Sequence, residues 1–494
     1  MSLGIAGRLV AASIALCGGA AYASAFAAPG AAHFALPALC VLAWQCVHAA
    51  TPRHAAWSGF LWGLPAFGGG LAWLHHALHD LGGTSLAITL PVMVFIVVVL
   101  AGYVAGAAWL ATRIGITKGA RASAFAGTWF VAEYTRSHVF IGFPWMLAGD
   151  SQLDLPLGML APWTGVYGVG FALAGVASLA AWLLPRRRIT AAGLVLVASL
   201  PSTPTITNAG SQEDAWRVTA LRLPAEQAPG GDAAWAWYRD RTFALGADHD
   251  LVAWPEHVAP VHAHELRDDI VALSLHAASQ GWPLLFGLPV QEHGGRSFNA
   301  MLAVGDGHGR YDKRALVPFV EHTPYRLLIG RTLTLIENKI AGFTPGAPRA
   351  PMVANGRTLA SAICYEAAFP EVVRENLRAA GEPALLLLPS SDRWYSDGAG
   401  ARQIQRMARM RARENGIAAV RVATEGTSLF IDRDGRVTAS LDAQGDALLT
   451  GTVAIGQAVT PWSRFGMAPT WLGFALALGI ACALRRVSRP TSHN

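Results

Sequence analysis

Apolar residues dominate the chain from its start to about residue 205, break up into short runs between polar and glycine-rich stretches, and return as one last block near 465–484. Eight stretches approach the ~20 residues that a helix needs to cross a bilayer: 6–28, 31–50, 56–75, 86–112, 122–138, 162–184, 189–206 and 465–484. The pattern predicts a membrane domain with seven spans over 1–206 and a C-terminal transmembrane helix over 465–484. Between them, over 213–458, apolar runs of strand length alternate with helix-like segments, the pattern of an α/β domain. The candidate strands are Val218–Leu223, Leu251–Trp254, Leu284–Gly287, Asn299–Val304, Leu359–Ile363, Ala384–Leu388, Ala419–Ala423 and Ser428–Ile431.

Composition agrees, with 53% hydrophobic and only 14% charged residues. The net charge of +6 is not gathered into a basic patch, which argues against nucleic acid as a partner. Much of it flanks the spans instead. Arg53 follows the second span, Arg113, Lys118 and Arg121 lie between the fourth and fifth, Arg186, Arg187 and Arg188 between the sixth and seventh, and Arg485, Arg486 and Arg489 after the eighth. If the spans alternate, all of these fall on one side, as the positive-inside rule requires of a cytoplasmic face. The polar domain then faces the periplasm of a bacterial inner membrane. The first segment also has features of a secretory signal, with Arg8, an apolar stretch and Ala23-Ser24-Ala25; the charge parity favours its retention as a span.

Four of the five cysteines, Cys17, Cys40, Cys46 and Cys482, lie in predicted spans. Cys364 stands alone in the polar domain, a free thiol in an oxidising compartment. A lone cysteine at a strand end is ordinarily a small buried hydrophobe. Its company argues for chemistry, because Glu256 and Lys313 also follow predicted strands, where α/β sheets assemble sites. A carboxylate can take the thiol proton and pass it to a leaving group, and an ammonium lowers the thiol pKa and stabilises an oxyanion. Each charge taken singly also reads as an ordinary surface group.

At these residues the sequence resembles the nitrilase, or carbon–nitrogen hydrolase, superfamily, whose Glu-Lys-Cys triad follows this order on an αββα sandwich. The run Tyr311-Asp312-Lys313-Arg314-Ala315-Leu316-Val317-Pro318-Phe319-Val320-Glu321 is similar to that of its membrane-bound branch, the apolipoprotein N-acyltransferase family. So are Gly69–Leu74, His79–Gly83, Gly142–Trp145, Asp150–Gln152 and Ala161–Gly168 in the apolar part, and Gln405–Glu414 near its end. The resemblance implies Glu256 as base, Lys313 as oxyanion-side cation and Cys364 as nucleophile, with the Tyr365 amide an oxyanion donor and Glu321, Tyr365 and Glu366 in support. It also implies a phospholipid acyl donor, a diacylglyceryl lipoprotein acceptor, residence in the lipid bilayer, and no metal or other cofactor.

Trp237, with Trp235 and Tyr238, reads either as an arm over the site or as packing aromatics of an amphipathic helix. His75, His76 and His79 read as interfacial polar residues ahead of metal ligands, since no carboxylate and cysteine set completes a site. The chain departs from the family where Ser-Asn-Asp-Ala-Trp-Phe is usual, reading Ser390-Ser391-Asp392-Arg393-Trp394-Tyr395, and where Ala-Thr-Asn-Thr-Gly-Ile-Ser is usual, reading Val422-Ala423-Thr424-Glu425-Gly426-Thr427-Ser428. If these two loops meet, Arg393 and Glu425 are placed to pair. Two rival functions share the residues: a membrane-anchored amidase with water as acceptor, and a conjugation or envelope-assembly relative with altered or no transferase activity.

Overall fold

The structure is a computed structural model, and it describes residues 5–200, 214–224, 232–323, 342–395, 398–442 and 447–487. The chain divides into a helical unit, Met1–Pro204, Gly398–Arg406 and Arg464–Asn494, and an α/β unit, Thr205–Asp397 and Met407–Ser463.

The helical unit contains α1 (Ile5–Ala27), α2 (Ala35–His48), α3 (Pro52–Gly70), α4 (Leu86–Ile114), α5 (Lys118–His138), α6 (Ala161–Leu183) and α7 (Arg188–Ser199). A helix occupies each of the seven segments expected over 1–206. Small residues let them approach closely, as in other membrane bundles. A methyl group added at Gly63 would lie 2.7 Å from the Ala101 Cα, so α3 packs backbone-close on α4. The expected eight crossings are not all met by length and composition. Among the described residues four stretches are long and apolar enough, Ile5–Ala27, Ala31–His48, Leu86–Ile114 and Pro156–Leu183. α5 falls outside this set because it carries Lys118, Arg121, Glu133 and Arg136, and α7 because its 12 residues reach only about 18 Å. Glu133 and Arg136 are buried within the unit: Glu133 Oε1 accepts from the Ala148 N–H (2.7 Å), and Arg136 Nη1 donates to the Phe143 and Trp145 carbonyls (2.9 and 2.6 Å).

The α/β unit holds two sheets. In chain order its elements begin with β1 (Ala215–Leu221), α8 (Asp232–Phe243), β2 (Leu251–Ala253), α9 (Arg267–Gln280), β3 (Pro283–Gln291), β4 (Ser297–Gly305), β5 (Gly307–His308) and β6 (Arg310–Asp312). They continue with β7 (Met352–Ala354), β8 (Arg357–Ser361), α10 (Pro370–Ala380), β9 (Leu386–Ser390) and α11 (Ala399–Asn415), whose residues from Met407 onward belong here. The last are β10 (Ala419–Ala423), β11 (Ser428–Ile431), β12 (Val437–Leu441), β13 (Leu448–Ala454) and α12 (Pro461–Phe465), whose residues up to Ser463 belong here; α13 (Ala468–Val487) lies in the helical unit.

One sheet has the order β13-β1-β2-β3-β4-β6 and the other β12-β11-β10-β9-β8-β7-β5. Each has three central parallel strands, β1-β2-β3 and β8-β9-β10, flanked by antiparallel ones. All five residues of β9 and of β10 are buried, as near-continuous apolar strands covered on both faces should be. Trp235 and Tyr238 of α8 and Leu273 and Ala277 of α9 pack on Val252, Leu284 and Phe286 of the first sheet. Val373 and Leu377 of α10 and Ala408 and Ala412 of α11 pack on Ala360, Leu386 and Ala419 of the second. The result is the expected αββα sandwich.

Candidate active site

Three strand ends position the acidic, basic and thiol groups. Glu256 follows β2, and its loop lies so close to β3 that a methyl group at Gly287 would come within 2.8 Å of the Glu256 Cα; only glycine fits. Lys313 follows β6, and its N–H bonds the Asn299 carbonyl of β4 (2.8 Å), carrying the ladder one residue further. Cys364 ends the extended run after β8 at φ +50°, left-handed for a residue with a side chain, and opens a short 3₁₀ turn. Among the described residues six non-glycines have such φ values; three of them, Cys364, His257 and Phe319, stand at or within two residues of Cys364, Glu256 and Glu321. Each costs about 1–3 kcal/mol, and such strain gathers where side chains must be aimed.

The charged groups converge in a buried cluster. Lys313 Nζ lies 2.9 Å from Glu256 Oε1 and 3.0 Å from Glu321 Oε1, with all three side chains buried. Asn299 Nδ2 donates to the same two oxygens (2.7 and 2.8 Å), the Ser391 N–H to Glu256 Oε2 (2.9 Å) and the Val317 N–H to Glu321 Oε2 (2.7 Å). Burial, the largest single influence, favours the neutral acid at Glu256, but the charge and hydrogen bond of Lys313 together with the Asn299 hydrogen bond and the His257 charge hold the carboxyl below the ordinary glutamate value. Burial works against the charged form of Lys313 as well, yet the two carboxylates keep it well above its ordinary value. Burial pushes the Cys364 thiol up to about 12, the Glu256 charge adding to the rise and Lys313 opposing it. The resting arrangement is therefore an ionised carboxylate, an ammonium and a neutral thiol.

Glu366 ties the thiol turn to the lysine loop. Its Oε2 accepts from the Ile363 N–H (2.7 Å) and the Tyr311 hydroxyl (2.8 Å), and its Oε1 from the Arg314 and Ala315 N–H groups (2.7 and 3.0 Å). One buried carboxylate thus sets the distance between the residues flanking Cys364 and those flanking Lys313. Asn376 reinforces the link, donating to the Tyr311 hydroxyl (2.8 Å) and the Ser361 carbonyl (2.9 Å). Tyr365 is buried, its ring meeting Phe369 edge-on.

The two departing loops do meet. The Thr424 N–H bonds the Ser390 carbonyl (3.0 Å), the Thr424 and Ser391 hydroxyls are 3.4 Å apart, and Arg393 pairs with Glu425 at 3.1 Å. That last pair is substantially exposed, at 59% and 37%, so it is worth about 0–1 kcal/mol. Beneath it, Asp392 forms a buried pair with Arg421 (2.5 Å) and accepts from the Ser390 hydroxyl (2.7 Å). Sequence reasoning missed Asn299, Asn376 and the Asp392–Arg421 pair. The signal for Asn299 and Arg421 was a polar residue inside an otherwise apolar strand.

The aromatic segment before Glu256 divides. Trp235 and Tyr238 are core residues: Trp235 Nε1 donates to Asp269 (2.7 Å), and Tyr238 stacks on Trp254 at 5.1 Å. Trp237 is half-buried, packs against the same cluster and meets Tyr238 edge-on. Of the histidines, His76 pairs with Asp80 (3.0 Å) and His79 bonds the Thr84 carbonyl (2.7 Å).

Residues 215–461 match the carbon–nitrogen hydrolase family, the class that the two-sheet sandwich defines. Residues 18–179 match the apolipoprotein N-acyltransferase N-terminal domain. The chain is 33% identical over 464 residues to an apolipoprotein N-acyltransferase of Azotobacter vinelandii, covering 89% of each, and 33% identical over 500 residues to that of Methylococcus capsulatus, covering 97% of each. It is also similar to a crystal structure of an amidase from Nesterenkonia sp., at 18% identity and a TM-score of 0.38, covering 54% of this chain and 100% of that one. The chain belongs to the apolipoprotein N-acyltransferase family, and it is an acyltransferase and a membrane protein.

Proposed function

We propose that this protein moves an acyl chain from a phospholipid to Cys364, forming a thioester, and then to the α-amino group of a lipoprotein's diacylglyceryl-cysteine. The observation that carries the reading is the buried Glu256–Lys313–Glu321 cluster, brought beside a strained Cys364 turn by the Glu366 bridge. In the first half-reaction Glu256 takes the thiol proton as sulfur attacks the ester carbonyl. The C–S bond forms, the C–O bond breaks, and the proton passes to the departing lysophospholipid oxygen. In the second, the amine nitrogen attacks the thioester, C–N forms as C–S breaks, and Glu256 carries the amine proton back to sulfur.

The resting charges favour a concerted first step. A thiol near 12 facing a carboxylate below its ordinary value gives up its proton only as the sulfur bonds to carbon. Lys313 and the Tyr365 amide then stabilise the oxyanion, while Glu321 and Asn299 fix the ammonium and the base. The domain limits follow as 1–206, 213–458 and 465–484, with the α/β domain facing the periplasm of an inner membrane.

The purified protein, given phospholipid and a synthetic diacylglyceryl lipopeptide, should yield N-acylated peptide and lysophospholipid in equal amounts. Release of free fatty acid or ammonia without N-acylated peptide would instead mark a hydrolase using water.

A further inference from the structure

Tyr395 ends the string Ser390-Ser391-Asp392-Arg393-Trp394-Tyr395. It closes the 3₁₀ turn Asp392–Tyr395 that follows β9, and its ring is buried. Its hydroxyl oxygen stands 3.7 Å from Cys364 Sγ, within hydrogen-bond reach for sulfur. On another side the sulfur faces the Ser391 carbonyl at 3.9 Å. That carbonyl only accepts, so it suits the S–H of the resting thiol and repels a sulfur carrying negative charge. The phenol can donate, and it keeps its proton: burial holds Tyr395 well above the ordinary tyrosine value, and the neighbouring Cys364, Asp392 and Glu256 charges push the same way. A phenylalanine ring offers no such donor.

We propose that Tyr395 is a further catalytic residue of this chain, donating a hydrogen bond to the Cys364 sulfur whenever that sulfur carries charge. The inference rests on the reading of Cys364 as acyl carrier. No proton leaves the phenol in either step; Glu256 still moves the protons, and the phenol supplies only the bond to sulfur. The two half-reactions use that bond unequally. When sulfur attacks, a stabilised thiolate is more abundant but less nucleophilic, so the gain partly cancels. When the thioester is discharged, C–S breaks, the sulfur departs with the electron pair, and a stabilised thiolate leaves faster. Tyr395 therefore favours discharge to the amine over loading from the phospholipid.

Tyr395→Phe removes one oxygen and keeps the ring. Losing a hydrogen bond to a charged sulfur shifts the thiol–thiolate balance about tenfold. With nucleophilicity rising as the thiolate is destabilised, alkylation of Cys364 at fixed pH, read on its own peptide by mass spectrometry, should fall about threefold. Thioester formation from phospholipid should fall by a similar factor. Single-turnover discharge to a diacylglyceryl lipopeptide should slow about tenfold, so that loaded enzyme accumulates. A 3-fluorotyrosine at the same position, a stronger donor, should move discharge in the opposite direction. Parent-like alkylation and discharge in Tyr395→Phe, with thioester formed by both proteins, would overturn this inference alone. A parent that forms no thioester would overturn the acyl-carrier reading, and the discharge role with it.

Discussion

Replacing Glu366 by glutamine tests whether the carboxylate that spans the two catalytic turns sets their geometry. The parent side chain accepts four hydrogen bonds and donates none. An amide must turn an NH₂ group toward two of those donors. The cheaper orientation puts it at the Oε2 position, where the Tyr311 hydroxyl oxygen can accept but the Ile363 N–H is left facing another donor. An unsatisfied buried N–H costs about 1–3 kcal/mol, and the remaining bonds lose their charge assistance. Burial of the carboxylate raises the Glu366 pKa, so the neutral amide recovers part of the loss. The net is about 2–3 kcal/mol, placed between Ile363, one residue before the nucleophile, and Arg314, one residue after the lysine. If that link is what holds Cys364 to Lys313, thioester formation should fall by a factor of about 30–160. Tyr311→Phe removes only one of the four donors and should cost about 1 kcal/mol, a factor of about five. Rapid-quench trapping of acyl-enzyme from labelled phospholipid measures both, with thermal unfolding in detergent confirming a folded protein. A Glu366→Gln rate within twofold of the parent would refute the bridge argument.

Lys313→Ala should lower turnover by about 10²–10³, and Lys313→Arg should not restore it, because a fully buried site with oxygens at 2.9 and 3.0 Å has no room for a planar guanidinium; full rescue by arginine in a turnover assay would point to a long-range charge effect instead. The elevated Cys364 thiol means that the thiolate is scarce below about 12, so alkylation of its peptide should climb about tenfold per pH unit through pH 10; levelling off near the ordinary thiol value of about 8.5 would contradict a thiol raised by burial. Asparagine introduced at Ser391 and Thr424 should change transfer to lipopeptide acceptors while the thioester burst persists, because it alters two hydroxyls 3.4 Å apart and leaves the backbone bond from the Ser391 N–H to Glu256 in place; equal transfer by the double variant and the parent would show that these loops do not select the acceptor.

Much of the site was legible because chemistry-bearing residues follow apolar runs: Glu256 and Cys364 stand just beyond candidate strands, whereas β6, the three-residue strand before Lys313, is too short for periodicity to find. Their supports were harder to read. Asn299 lies 43 residues from Glu256 and touches it because β3 lies between β2, which Glu256 follows, and β4, which carries Asn299. Glu366 reaches the 313–315 loop through backbone N–H groups, which leave no mark in a side-chain pattern. Edge strands β12 and β13 escaped notice because their exposed, polar-alternating residues look like loop. The helical unit shows a complementary case. Apolar content located each helix, but it does not by itself fix the number of crossings: α5 buries a Glu133–Arg136 pair, and the described part of α7 is 12 residues long.

The most direct test of the account is the chemical identity of the acyl-carrying atom. Full-length protein incubated with labelled phospholipid and no acceptor should yield one hydroxylamine-sensitive acyl group on the peptide bearing Cys364. The label should be absent from Cys364→Ala and should pass to nitrogen when diacylglyceryl lipopeptide is added. A hydroxylamine-sensitive label that persists in Cys364→Ala, or transfer to lipopeptide by that variant, would contradict the central claim.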